Sequence, residues 1–135
     1  MDLTLFQFDY DLTFAVFFMN ADKTIYGRYG SRSDQKEAAR DISLEGFREA
    51  LNAALQLHKN YPANRASLAG KQSRPVRFNT PDEYPSLRGK YQTKLDYEGK
   101  VVQSCMHCHQ VRDAERTWWR TERKPMPEEI GRAHV

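Results

Sequence analysis

Leu12-Thr13-Phe14-Ala15-Val16-Phe17-Phe18-Met19 is a continuous apolar run, with Asp9-Tyr10-Asp11 before it and Asn20-Ala21-Asp22-Lys23 after it. An apolar run without alternation, bounded by polar turns, predicts a strand buried on both faces. The stretch that follows, Thr24-Ile25-Tyr26-Gly27-Arg28-Tyr29, does alternate and is closed by Gly30, which predicts a half-exposed second strand. Joined by the Asn20–Lys23 turn, the two strands read as an antiparallel hairpin.

Outward from the hairpin, Ser31 to Asp41 is polar and reads as a loop, with at most a helical turn over Gln35 to Arg40. Ser43 is placed to cap a helix, and Glu45 falls in its first turn, where the helix dipole favours negative charge. Leu44, Phe47, Leu51, Ala54, Leu55 and His58 recur at helical spacing, so the expectation is an amphipathic helix from Leu44 to His58 with that face on the sheet, ended by Tyr61-Pro62. His58 reads as a cap-region residue whose charged form suits the dipole. Ala63 to Glu98 has no sustained period and carries Pro75, Pro81 and Pro85. So long a stretch is expected to be a linker, or a wrapper that gains order from a neighbour or cofactor. Phe78, Tyr84, Tyr91 and Tyr97 in it are either anchoring contacts or cover for a haem edge.

Ser104-Cys105-Met106-His107-Cys108-His109 holds both cysteines of the chain, with a histidine directly behind the second. This is the CxxCH pattern of c-type haem attachment. Thiols at this spacing on a helical turn share a side and can form thioethers to two vinyl groups, while His109 offers an imidazole to the iron. Three other readings stay open. Cys105 and Cys108 can be a dithiol redox pair, between a short strand over Lys100-Val101-Val102-Gln103 and a helix from Gln110 to Arg120. They can be part of a zinc site completed by His107 or His109, although no further cysteine supplies a second ligand pair. Or they bind no cofactor. On the haem reading Met126, in Lys124-Pro125-Met126-Pro127, is the candidate sixth ligand, because a thioether flanked by prolines is held on stiff chain. Trp118 and Trp119 are adjacent on the presumed helix and point about 100° apart, so they cannot share a face. The mixed-sign run Arg112 to Arg123 reads as a solvated helix.

At 135 residues the chain suffices for one domain with a modest core, and its 39% hydrophobic content is low for that size. A mean hydropathy of −0.82 points the same way, so part of the chain is expected to be extended or unpacked. A net charge of only +3 with 29% charged residues implies no strong field for nucleic acid. No apolar run reaches membrane-spanning length, and Met1-Asp2-Leu3-Thr4 has neither the basic nor the apolar region of a signal peptide. The last six residues, Ile130-Gly131-Arg132-Ala133-His134-Val135, resemble a translated sequencing adapter. His134 is therefore set aside, and the chain is read as a fragment whose start is internal.

Phe8 to Gly30 resembles the second half of a thioredoxin-like domain: central strand, turn, antiparallel partner and closing glycine, with the helix from Leu44 as the last helix of that fold. The chain as a whole resembles a segment of secreted bacterial proteins that join a thioredoxin-like domain, a CxxCH segment and a downstream PDZ-like domain. Two departures bear on what carries over. Leu12-Thr13 stands where thioredoxins place a cis-proline, and the first βαβ half with its active-site cysteines is absent from this sequence. The fold class implied is α/β, an incomplete thioredoxin-like half over residues 1–60, an irregular linker or wrapper over 61–97 and a CxxCH-bearing helical segment over 98–129, with 130–135 set aside. The function implied is an extracytoplasmic, periplasmic or secreted electron-transfer segment with haem c held by Cys105, Cys108 and His109, and a redox partner protein that the sequence does not name. The alternatives are a thiol-disulfide oxidoreductase, with Cys105 as nucleophile and Cys108 as resolving thiol, and an interaction or scaffold protein that binds through a PDZ-like domain.

Overall fold

A reversal at Asn20 organises the first half of the fold. The computed structural model describes residues 1–12, 14–31, 42–91, 94, 97–99 and 107–123. Strand β1 (Phe14–Met19) pairs antiparallel with β2 (Ile25–Ser31) in a two-stranded sheet. Between them Asn20 does the work of a turn residue: its carbonyl accepts from the Lys23 amide at 3.0 Å and its side-chain oxygen accepts from the Thr24 amide at 2.9 Å. Lys23 takes the left-handed conformation that closes the reversal, with φ 62°. At the far end Gly30 lies against β1 so closely that a Cβ would collide with the Phe14 carbonyl oxygen.

The pairing contains one irregularity that decides which side chains meet. Phe18 opposes Gly27, but Met19 opposes Ile25, leaving Tyr26 over. In a regular strand residues three apart point to opposite faces. The extra residue cancels that parity, and Tyr26 and Tyr29 both reach the helix on one side of the sheet.

That helix is α1 (Leu44–Lys59). Ser43 caps it, its Oγ accepting from the Gly46 amide at 3.0 Å, and Glu45 stands in the first turn. The Tyr29 hydroxyl accepts from the Ser43 amide and donates to the Ser43 carbonyl, each at 3.0 Å, which ties the cap to β2. Phe47 packs between Phe18 and Tyr29, and Ala54 is buried with Tyr26 and Leu68, with Leu57 against them. His58 offers Nδ1 to the Tyr26 hydroxyl at 2.9 Å. The buried stripe is thus rotated from the expected one: Leu44 is 89% exposed, and Leu51 and Leu55 also face out. Over the sheet the small Ala54 packs with Tyr26 and Leu68.

After α1 the chain forms short 3₁₀ segments at Arg65–Lys71 and Pro81–Glu83. The first covers the outer edge of β2. Gln72 takes the Ile25 amide on Oε1 at 2.9 Å and gives Nε2 to the Ile25 carbonyl at 3.0 Å, as a neighbouring strand would, while Lys71 Nζ donates to the Tyr26 carbonyl at 2.7 Å.

Helix α2 (Cys108–Thr121) buries Val111, Ala114 and Glu115. Val111 and Ala114 join Leu3, Phe8, Tyr10, Leu12, Tyr84 and Leu87 in one cluster, against which Ala15 and Phe17 of β1 also pack. The irregular stretch before α2 therefore contributes to the core through Tyr84 and Leu87. The β1 run is less buried than its composition implied, with Phe14 42% exposed and the other five residues half-buried. The cause is the sheet's width: both faces are covered, but only β2 pairs with it among the described residues. The mixed-sign face of α2 is not fully solvated either, since the side chains of Arg112 and Glu115 are 13% and 6% exposed.

Leu68 and Leu44 provide a contrast that composition hides. Leu68→Ala, at 1% exposure, is expected to cost about 2–5 kcal/mol in urea denaturation, and Leu44→Ala to change stability by less than about 0.5 kcal/mol.

Candidate functional site

The first turn of α2 begins inside the CxxCH motif. His107 is the N-cap residue, in extended conformation, and Cys108 is the first residue of the helix. Gln110 locks this start: its Oε1 accepts from the His107 amide at 2.9 Å and from the Tyr91 hydroxyl at 3.0 Å. Cys105 and Met126 lie outside the described residues, as do the strand expected at 100–103 and the polar loop at 32–41.

Two stripes of α2 separate the chemistry of the motif. Cys108, Val111, Ala114 and Trp118 follow the helical period and meet the core. Cys108 is half-buried there, and loss of water pushes its thiol above the ordinary range, against a smaller opposing effect of the backbone amide at that residue. His109, Arg112 and Arg116, at i, i+3 and i+7, form the second stripe, and it converges on one carboxylate. Asp11 Oδ2 lies 2.7 Å from Arg116 Nη2 and 3.6 Å from Arg112 Nε, while Oδ1 lies 3.6 Å from His109 Nδ1. Asp11 is 24% exposed and the His109 ring 63%. The carboxylate is itself held by a turn, in which Asp9 Oδ1 accepts the Asp11 amide at 3.1 Å and the Asp9 carbonyl accepts the Leu12 amide at 2.9 Å, just before β1 begins.

Behind Cys108 the surroundings disfavour negative charge. Glu115 is 5% exposed and receives Arg112 Nη1 at 3.2 Å, yet burial, with Asp9 and Asp11 nearby, leaves its carboxyl above the usual glutamate range. Burial and the Glu115 charge likewise raise Tyr10 and Tyr84 far above the normal tyrosine range, and Cys108 adds to the effect on Tyr10.

Of the aromatic residues of the irregular segment, Tyr84 lies in the core and Phe78 and Tyr91 pack against it. Phe78 packs on Tyr84 and edge-on against Trp118, Tyr91 bonds to Gln110, and Tyr97 is 79% exposed. Trp119 stands edge-on to Trp118 at 4.9 Å, outside the stripe that meets the core. An open groove of about 530 Å³ lies beside Phe78, lined by Arg77, Asp82, Glu83 and Arg88. Neither Cys108 nor His109 lines it. Among the described residues no three His, Cys, Asp or Glu side chains converge as a metal cage would require, and no helix is long and apolar enough to cross a membrane.

The structure thus brings Cys108 and His109 to consecutive positions on two differing surfaces. It adds Asp11, Arg112 and Arg116, which the sequence reading passed over. The spacing of His109, Arg112 and Arg116 was the available signal for a shared anionic partner; which aspartate supplies it was not. In comparisons with known proteins, no family model, no curated protein and no solved structure matches this chain.

Two measurements follow from the burial at this site. In the Cys105→Ser chain, Cys108 is expected to react with iodoacetamide at pH 8 more slowly than free cysteine, because only the thiolate attacks. Glu115 binds its proton more tightly folded than unfolded, so between the ordinary glutamate pKa and the raised one stability falls as pH rises. Glu115→Gln, which keeps an acceptor for Arg112, is expected to remove that decline in urea denaturation over the same window.

Proposed function

We propose that this chain is an extracytoplasmic electron-transfer segment for a c-type haem, which Cys105 and Cys108 would hold by thioethers and His109 would ligate through its imidazole. The observation that supports this best is the delivery, by consecutive residues of the first turn of α2, of a half-buried thiol and an exposed imidazole. The donor set fits the group. Cys108 sits where its sulfur is favoured uncharged, as it would be in a thioether, and His109 has one ring nitrogen near a carboxylate and an exposed ring with which to ligate. Bound haem would supply a one-electron iron couple whose potential depends on axial ligands and burial. The chain's own part is to anchor through Cys105 and Cys108, to orient His109 from a helix fixed by Gln110, and to offer Met126 as candidate sixth ligand. Thioether attachment of this kind belongs outside the cytoplasm, which is where we place the protein.

A second reading is supported by the same burial. A shielded thiol at a helix start suits the resolving member of a dithiol pair, with Cys105 as the attacking member.

Export of the chain in a host with haem-attachment machinery separates the two. The haem reading expects a reduced c-type absorption band that survives acid-acetone extraction and disappears when Cys105 and Cys108 are both changed to Ser. Colourless protein with two titratable thiols would overturn it in favour of the dithiol.

A further inference from the structure

We propose that Asp11 is the positioning residue for His109: its carboxylate takes the Nδ1 side of the imidazole, fixes the tautomer that carries the proton on Nδ1, and leaves Nε2 as the metal-binding nitrogen. This inference rests on the haem reading for its redox consequence, but the pairing itself belongs to the protein alone.

The geometry supplies each part. A histidine ligates through one nitrogen, and the group met by the other nitrogen decides which one is protonated. His109 Nδ1 is 3.6 Å from Asp11 Oδ1, an ion-pair separation about half an ångström longer than a hydrogen bond. The ring is exposed, and the carboxylate is held from several sides. The short contact from Arg116 holds its other oxygen, Arg112 flanks it, and the Asp9 turn fixes the backbone beneath it. Among the described residues both arginines meet Asp11 through Oδ2, and His109 faces Oδ1. Neither arginine can accept a proton from Nδ1, which makes Asp11 the acceptor of the group.

The consequence is electronic. A carboxylate that accepts from Nδ1–H makes the imidazole a stronger donor, and a stronger donor favours ferric over ferrous iron. Removing that charge is therefore expected to raise the one-electron potential.

The test uses the full chain in both forms. In the haem-free protein, at a pH where the ring is neutral, nitrogen-15 NMR of His109 is expected to show the Nδ1–H tautomer. Asp11→Asn is expected to shift it toward Nε2–H, and Asp11→Glu to restore it. In the haem-bearing protein Asp11→Asn is expected to raise the potential. Arg116→Ala, which weakens the tether and leaves the carboxylate, is expected to lower stability with a smaller change in tautomer. A wild-type ring in the Nε2–H form, or a haem-bearing Asp11→Asn protein with unchanged potential, overturns the assignment. Failure of the wild-type chain to acquire haem overturns the haem reading instead, and the NMR result then still decides the pairing.

Discussion

Val111 and Ala114 leave water because the first dozen residues of the chain lie across them. Val111 has no exposed surface, and the residues that cover it and Ala114 include Leu3, Phe8, Tyr10 and Leu12, about a hundred positions away in sequence. Everything proposed for the motif depends on this contact. It sets the roll of α2, and therefore which side of the helix carries Cys108 inward and which carries His109 outward. It also brings the Asp9–Leu12 turn beside the cationic stripe. Without it, the Cys108 thiol would be solvated and His109 would have no carboxylate to face.

Magnitudes separate what holds this arrangement from what tunes it. Fully burying a side chain such as Leu or Val contributes about 1.5–3 kcal/mol, and the cluster contains several. The Arg116–Asp11 pair, 38% and 24% exposed, is in the class worth up to about 1 kcal/mol. The apolar stripe is thus the fastening. The ion cluster fixes orientation, for which a small energy suffices as long as the backbone under Asp11 is already rigid. The Asp9 turn and the start of β1 provide that rigidity, so the hairpin reaches the site through three residues of chain.

Local patterns in the sequence were sound guides and long-range ones were not. The hairpin, the Asn20 turn, the Ser43 cap, the extent of α1 and a helix following CxxCH are all determined by neighbours within a few positions, and the structure has them. The rotation of α1 was misread because leucines were taken as the buried face. It is Phe47 and Ala54 that meet Tyr29 and Tyr26, which the irregular pairing at Phe18 and Met19 brings together. Arg112 and Glu115 were read as solvated because charge is normally outside. They are inside as partners one turn apart, and burial still raises the Glu115 carboxyl despite Arg112. Asp11 was visible only as a turn residue, since nothing near it in sequence indicates what it faces.

The two residues of the motif that the structure describes are placed under opposite electrostatic conditions, and this limits the chemistry each can perform. Around Cys108, burial disfavours a thiolate, and the raised Glu115, Tyr10 and Tyr84 show that the whole pocket resists added negative charge. A sulfur there is favoured uncharged, whether as thiol, thioether or disulfide. Around His109, the environment is wet, cationic along the helix and anionic at one point, where Asp11 Oδ1 stands 3.6 Å from Nδ1. A neutral sulfur turned inward beside an exposed imidazole turned outward supports the haem proposal, which would use both. Thiol exchange would use only the first, and gives no role to the convergence of His109, Arg112 and Arg116 on Asp11.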